Sequence, residues 1–488
     1  MTETDGYPGN SSDVPHESCG VIGVYLPTST ESDAARVAFF GLYALQHRGQ
    51  ESAGIAAADG RTLRNFTNVG LVSNAFHQED LDRLPGHLAI GHTRYSTTGS
   101  TGALNAQPIV SKSPTMELAL GHNGNVINAA ELRERLSEWG VTCTTGTDSE
   151  VIAHLLAWAP GESWSEKTAY LMRALKGAYS LVVCTTDSVV GIRDPHGVRP
   201  LCIGRYPNGG WVIASESAAL DHIGAQFVRE IEPGETVVLD RKGLSSIPSP
   251  MPNARGAHCV FEHIYFARPD SILDGRLTHI SRTNMGMALA HEHPVEADIV
   301  IPIPESANSA AVGYAQASGI PFGYGLIKNR YVGRTFIEPD QRFRELGVRN
   351  KFNPLPEVLM GKRIVVVDDS IVRGTTTPPI IALLRRAGAA EVHVRVCAPP
   401  ISNPCHFGVD MSTKAELIAT DRSVEEIRKL IGADSLGYLS VEGLHEAVSD
   451  DRSGTGFCDA CFTGQYPIPV QLQMDKLSLE RTTVRPVE

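Results

Sequence analysis

Cys19 opens the run Cys19-Gly20-Val21-Ile22-Gly23-Val24-Tyr25, directly behind a polar, acidic stretch of eighteen residues. A cysteine in that place has a particular chemistry open to it. If residues 1–18 are removed, Cys19 carries a thiol and a free α-amino group, and the amine, with a reference pKa near ~8, can take the thiol's proton. Nucleophile and base then belong to one residue. Four further strings could complete an amide-cleaving site: residues 45–54, 91–97, 121–125 and 146–150. Arg94 suits a bidentate grip on a carboxylate. Asp148 suits an α-ammonium. Asn123 and the Gly124 N–H suit a tetrahedral oxyanion.

A second string points elsewhere. Residues 364–376 read as a hydrophobic strand ending in Asp368 and Asp369, then a loop of hydroxyl residues and Gly374, then a helix beginning at Pro378-Pro379. Backbone N–H groups of such a loop, with Ser370, Thr375 and Thr376, can ring a phosphate at a helix N-terminus. Two acids beside a phosphate would repel it unless they serve ribose hydroxyls or Mg²⁺. A third set is the cysteines. Cys458 and Cys461 form a C-x-x-C pair, and Cys259 and Cys405 lie elsewhere in the second half. Four thiolates suit a structural zinc or an iron–sulfur cubane, and spacing alone leaves both open, with zinc favoured and a site without metal a third alternative. Cys143, Cys184, Cys202 and Cys397 lie in or beside apolar runs and read as core.

The elements that must position these groups fall into two kinds. The first half has short apolar runs at 21–26, 87–91, 118–121, 180–184 and 236–239, with helical stretches near 33–46 and 150–159. This pattern implies stacked sheets flanked by helices. The second half alternates strand and helix: 299–303, 307–317, 363–367, 378–387 and 391–396. Continuous β-branched strands between helices imply a parallel sheet covered on both faces. A Pro- and Ser-rich stretch at 245–256 separates the halves. The expected organisation is a propeptide 1–18, a first domain 19–245, a linker 246–257, a second domain 258–470 and a tail 471–488.

Composition sets outer limits. The 488 residues allow two or three domains, and a net charge of −12 argues against broad nucleic-acid or anionic-membrane binding. No apolar run approaches the ~18–20 residues that span a bilayer, and the first eighteen residues lack the features of a secretory signal. A cytoplasmic location is expected. Nine scattered cysteines suit a reducing compartment better than a disulfide framework.

The strings around Cys19 resemble those of the class II, N-terminal-nucleophile glutamine amidotransferases, from Cys19 to about Val238. Residues 364–376 resemble the phosphoribosyl-pyrophosphate motif of type I phosphoribosyltransferases. The resemblances imply an αββα sandwich of the N-terminal-nucleophile hydrolase type, followed by a phosphoribosyltransferase α/β domain. Together, and with Tyr265-Phe266-Ala267-Arg268-Pro269-Asp270-Ser271 at the junction, they resemble the glutamine phosphoribosylpyrophosphate amidotransferase family. That family implies glutamine and phosphoribosyl pyrophosphate as substrates and 5-phosphoribosylamine as product, in the first step of de novo purine synthesis. It implies Asp368 and Asp369 on the ribose hydroxyls and the loop from Ser370 through Arg373, Gly374, Thr375 and Thr376 on the 5′-phosphate. Ser306, Asp368 and Asp369 become the magnesium set, and Tyr265 a wall of an ammonia passage. A mobile flap is implied at 328–335, followed by Arg342, Arg344 and Arg349, where a plain solvated loop is the alternative. One branch of the family has a cleaved leader and a 4Fe–4S cluster, which selects Cys259, Cys405, Cys458 and Cys461. Purine-nucleotide feedback and a homotetramer are also implied. Two rival functions share part of this pattern: a class II amidotransferase with another acceptor, and a non-enzymatic phosphoribosyl-binding regulator.

Overall fold

The computed structural model describes residues 19–27, 33–95, 102–207, 209–329, 350–411, 413–449, 456–470 and 479. The stretch expected as a propeptide and most of the stretch expected as a flap lie outside the described residues.

The strand Gly20–Tyr25 explains the first half. It is buried along its whole length, and its side chains part by alternation. Ile22 and Val24 join a core with the helix Ala34–Ala44, while Val21 and Tyr25 join a core shared with the second sheet. The strand Gly177–Cys184 does the same on the other side. Leu181 and Val183 meet the helix Asp148–Ala157, and Val182 and Cys184 face the first sheet. Two antiparallel sheets, seven- and six-stranded, therefore stack between helical layers as an αββα sandwich. Gly20–Tyr25 lies inside its sheet, between Trp211–Ala214 and Leu88–Arg94. The helix Ala34–Ala44 sits close upon it, because a Cβ at Gly41 would come within 2.1 Å of Ile22 Cδ1.

The second half is a four-stranded parallel sheet in the order Ile299–Pro302, Arg363–Asp368, Glu391–Val396, Ser435–Tyr438. The helices Asn308–Ser318 and Thr377–Arg386 pack on it around one apolar core. Helices Thr278–Glu292 and Asn308–Ser318 approach at backbone distance, since a Cβ at Gly286 would lie 1.8 Å from the Ala310 carbonyl oxygen. That core also takes in Ala178 and Val198 of the first half.

The separating stretch is shorter than expected. Residues 245–247 complete the strand Gly243–Ile247, which pairs with Thr236–Asp240 at the edge of the second sheet. Edge pairing uses backbone hydrogen bonds and demands no apolar face, so composition hides it. Ala257 belongs to a short parallel pair, Ala257–Cys259 with Gly456–Cys458. The irregular segment is 248–256. Leu479, in the expected tail, packs into the core beneath the second sheet and accepts a hydrogen bond from Arg133 Nη1 at 2.9 Å.

Candidate active sites and cysteine cluster

Cys19 stands at the head of the Gly20–Tyr25 strand, where the neighbouring strand Leu88–Arg94 ends, so Arg94 and Tyr95 arrive beside it. Its Sγ donates to the Tyr95 carbonyl at 3.3 Å and accepts from the Tyr95 N–H at 3.4 Å. Burial pushes the thiol up to about 11, with the Tyr95 hydrogen bond and the Arg94 charge acting against it and Glu51 and Asp148 with it. The thiol thus feels both expected glutamine clamps, Arg94 and Asp148. Both are buried, and Asp148 Oδ2 accepts from the Val126 N–H at 2.9 Å.

Asn123 and Gly124 lie on the strand Glu117–Val126. Asn123 is fully buried, and neither its Oδ1 nor its Nδ2 has a hydrogen-bond partner within the protein. A buried amide left in that state costs free energy unless a ligand completes it, which suits an oxyanion site. Gly124 has φ +145°, and a Cβ there would fall 2.0 Å from the Ala178 carbonyl oxygen, so only glycine fits.

A buried charge network lies beneath the nucleophile, and only Arg48 of it falls in a string that the sequence singles out. Arg48 Nε donates to the Cys19 carbonyl at 3.4 Å, and its other nitrogens reach Glu216 and, at 2.7 Å, Glu262. Glu262 also accepts from Arg199 Nη1 at 3.1 Å. Glu216 accepts from the Arg268 N–H at 2.9 Å and the Ser271 hydroxyl at 2.6 Å. Glu262 begins a single π-turn, Glu262–Phe266, that also contains Tyr265. Arg282 donates to the His263 carbonyl at 2.8 Å and the Ala267 carbonyl at 2.7 Å and feels the charge of Asp369, so this turn is tied to Cys19 through Glu262 and Arg48 and to the second site through Arg282.

The second site lies at the carboxyl ends of adjacent parallel strands, where ligands of such sheets bind. The strand Arg363–Asp368 delivers Asp368 and Asp369, and Ile299–Pro302 leads to Ser306. The Ile303 N–H donates to the Val367 carbonyl at 2.8 Å, which brings the two strand ends together. Asp369 accepts hydrogen bonds from Ser306 and, at 2.6 Å, from the Ser370 hydroxyl. Burial raises its pKa against those bonds and the Arg282 charge. Ser306 and Asp369 meet here, and Asp368, whose Oδ1 accepts from the Asp369 N–H at 2.9 Å, adjoins them; all three offer the hard oxygens that Mg²⁺ takes. The loop continues through Gly374, at φ +69°, into the helix Thr377–Arg386, which starts one residue before Pro378. Thr375 is exposed at the loop's rim. Arg373 pairs its Nη2 with Glu416 at 2.6 Å, beside a segment rich in backbone and hydroxyl donors.

Cys259, Cys405, Cys458 and Cys461 converge. Cys259 and Cys458 are direct partners across the short parallel pair. The N–H groups of Ser402 and Asn403 hold the Cys461 carbonyl at 3.1 and 3.0 Å. The Cys461 thiol, raised by burial, also feels the other three. Among the described residues, no three of these sulfurs lie within 4.8 Å of one another. Thiolates on one zinc, at Zn–S ~2.3 Å, would sit about 3.8 Å apart. Cys143, Cys184, Cys202 and Cys397 are buried core residues, as expected.

An αββα sandwich headed by a cysteine and joined to a phosphoribosyltransferase-like sheet defines a two-domain glutamine amidotransferase. Residues 92–222 match the family model described as a glutamine amidotransferase domain. The chain is 49% identical to the amidophosphoribosyltransferase of Synechocystis, over 99% of this chain and 98% of that relative. It is 48% identical to that of Mycobacterium tuberculosis, over 96% of this chain and 90% of the relative. Among solved structures it is similar to the glutamine phosphoribosylpyrophosphate amidotransferase of B. subtilis complexed with ADP and GMP. There the TM-score is 0.87 and the identity 46%, over 94% of this chain and 99% of that one. The chain belongs to the amidophosphoribosyltransferase family. Among the described residues, no helix is long and apolar enough to cross a membrane.

Proposed function

We propose that the protein converts glutamine, water and phosphoribosyl pyrophosphate to 5-phosphoribosylamine, glutamate and pyrophosphate, the opening step of purine synthesis. The observation that carries this reading is two sites in one chain, with the π-turn Glu262–Phe266 tied to both. Arg94 and Asp148 would hold the carboxylate and ammonium of glutamine. Cys19 attacks the amide while Asn123 and the Gly124 N–H receive the oxyanion. The thiol's proton passes to the α-amine of Cys19 once residues 1–18 have been removed, and then to the leaving nitrogen. Ammonia departs, and water hydrolyses the thioester to glutamate. Ammonia is a nucleophile only when unprotonated, so a dry path past Tyr265 is needed. At the second site Asp368 and Asp369 position the ribose, and the 370–376 loop holds the 5′-phosphate. The lone pair of ammonia forms the new bond at C1 as the bond to pyrophosphate breaks. A bound Mg²⁺, held by Ser306, Asp368 and Asp369, would neutralise charge on the pyrophosphate.

The converging cysteines support a 4Fe–4S cluster on Cys259, Cys405, Cys458 and Cys461, and with it a cleaved leader. Nine free thiols suit the reducing cytoplasm. Feedback by purine nucleotides fits the nucleotide-bound B. subtilis relative, and a homotetramer is the assembly we infer. The deciding experiment is product formation with each substrate omitted in turn. Glutamine consumption with no dependence of product on phosphoribosyl pyrophosphate would overturn the reading. Iron and acid-labile sulfide analysis, with intact mass, tests the cluster and the cleavage.

A further inference from the structure

The loop that carries Cys405 reaches across the domain boundary and touches the glutamine site. Asn125 Nδ2 donates to the His406 carbonyl at 2.9 Å. Arg199 donates to the Phe407 carbonyl twice, through Nε at 3.1 Å and Nη2 at 2.9 Å. Gly408 then passes so close that a Cβ on it would stand 3.2 Å from the Gly124 Cα and 3.1 Å from Arg199 Nη2. His406 is thus fastened to the strand that carries Asn123 and Gly124, Gly408 lies against that strand, and Phe407 between them is held by Arg199 from outside it. The same Arg199 shares Glu262 with Arg48, and Arg48 holds the Cys19 carbonyl.

Domain adhesion alone does not require this arrangement. Apolar packing already joins the halves through the shared core. A fully buried arginine is costly unless its donors are all met. Here two donors converge on one carbonyl, which fixes that carbonyl in two directions. The contacts of His406 and Gly408 also fall on Asn125 and Gly124, at or beside the oxyanion donors, where small displacements weaken transition-state stabilisation most.

We propose that segment 406–408 is a strut for the oxyanion site, with Asn125 and Arg199 as positioning residues, so that the transferase half sets the turnover of glutamine hydrolysis. This rests on the glutaminase reading given above. It predicts a split that a merely structural role would not produce. The test uses the full chain carrying Asn125→Ala, with Arg199→Lys as a second, conservative variant. The readouts are kcat and KM for glutamine hydrolysis, ammonia-dependent product formation, and the rate of Cys19 alkylation by iodoacetamide, which needs no oxyanion site.

For Asn125→Ala we expect kcat for glutamine hydrolysis to fall roughly 10–100-fold, somewhat less than loss of an oxyanion donor itself. KM for glutamine should stay within about threefold, and alkylation and ammonia-dependent synthesis should hold near the parent. Arg199→Lys, which loses the paired donors, should move in the same direction. An unmoved kcat in both variants overturns the strut. So does a parallel fall in ammonia-dependent synthesis, which would make the contacts structural. A parent protein that does not hydrolyse glutamine at all overturns the glutaminase reading first, and the strut with it.

Discussion

Burial holds the Cys19 thiol at about 11, so at pH 7 only roughly one molecule in 10⁴ would carry a thiolate. With residues 1–18 attached, the nitrogen of Cys19 is a peptide nitrogen and accepts no proton. The residue then has a nucleophile and no base. The sign follows directly: a raised thiol pKa means reactivity grows as pH climbs toward 11, about tenfold per unit. A variant whose leader cannot be removed should show that slope in iodoacetamide labelling, and glutaminase activity below about a hundredth of the processed form. Protein beginning at Cys19 should label and turn over at neutral pH. Mass spectrometry of the labelled peptide reads the first quantity and glutamate release the second. Equal behaviour of the two forms would remove the α-amine from the mechanism. Cys19→Ala should abolish glutamine use and spare synthesis from ammonia, and loss of both would argue against two separate sites.

At the level of elements, the strand–loop–helix from Arg363 to Arg386 turns on Gly374. Its φ of +69° is a left-handed conformation, and a Cβ there would stand 2.2 Å from Ile418 Cδ1. Gly374→Ala should therefore displace the loop and raise KM for phosphoribosyl pyrophosphate about tenfold or more, with glutamine- and ammonia-driven synthesis falling together. An unchanged KM would mean that the loop does not hold the phosphate. This element was legible from sequence because strand, acids, loop and helix are contiguous. The strings around Arg94, Asn123 and Asp148 were legible in the same way. The network of Arg48, Arg199, Glu216 and Glu262 was not. Arg48 lies in the 45–54 string but the other three are lone charges in unrelated stretches; Arg48 meets Glu216 within the first half, and Glu262 joins Arg48 and Arg199 only when the halves pack. The partner of Arg373 was hidden too: its place in the motif was plain, but not that its guanidinium pairs with Glu416, forty-three residues on. The strand Gly243–Ile247 hid because an edge strand asks little of its side chains.

On the scale of the whole molecule, one carboxylate gathers much of the domain junction. Glu216 takes up His47 and Arg48 on the glutaminase side, and the Arg268 N–H and the Ser271 hydroxyl on the transferase side. Burial works to raise its pKa, but His47, Arg48 and the Ser271 hydroxyl outweigh it and hold the group well below the ordinary glutamate range. A depressed carboxylate gives its stabilisation above the unfolded-state pKa, about 4.3, and loses it as pH falls through the folded value. Glu216→Gln should therefore weaken the protein at neutral pH by about 3–5 kcal/mol, because Arg48 keeps its charge with one carboxylate fewer. As pH drops below about 4.3, the carboxylate protonates in the unfolded parent while the folded parent still holds it charged, so the gap between parent and variant should narrow. Urea unfolding of both proteins, followed by tryptophan fluorescence from pH 7 down to pH 3, measures that gap. A gap constant with pH would mean that the charge on Glu216 does not join the halves, and that its hydrogen bonds to Arg268 and Ser271 act as those of any neutral acceptor would.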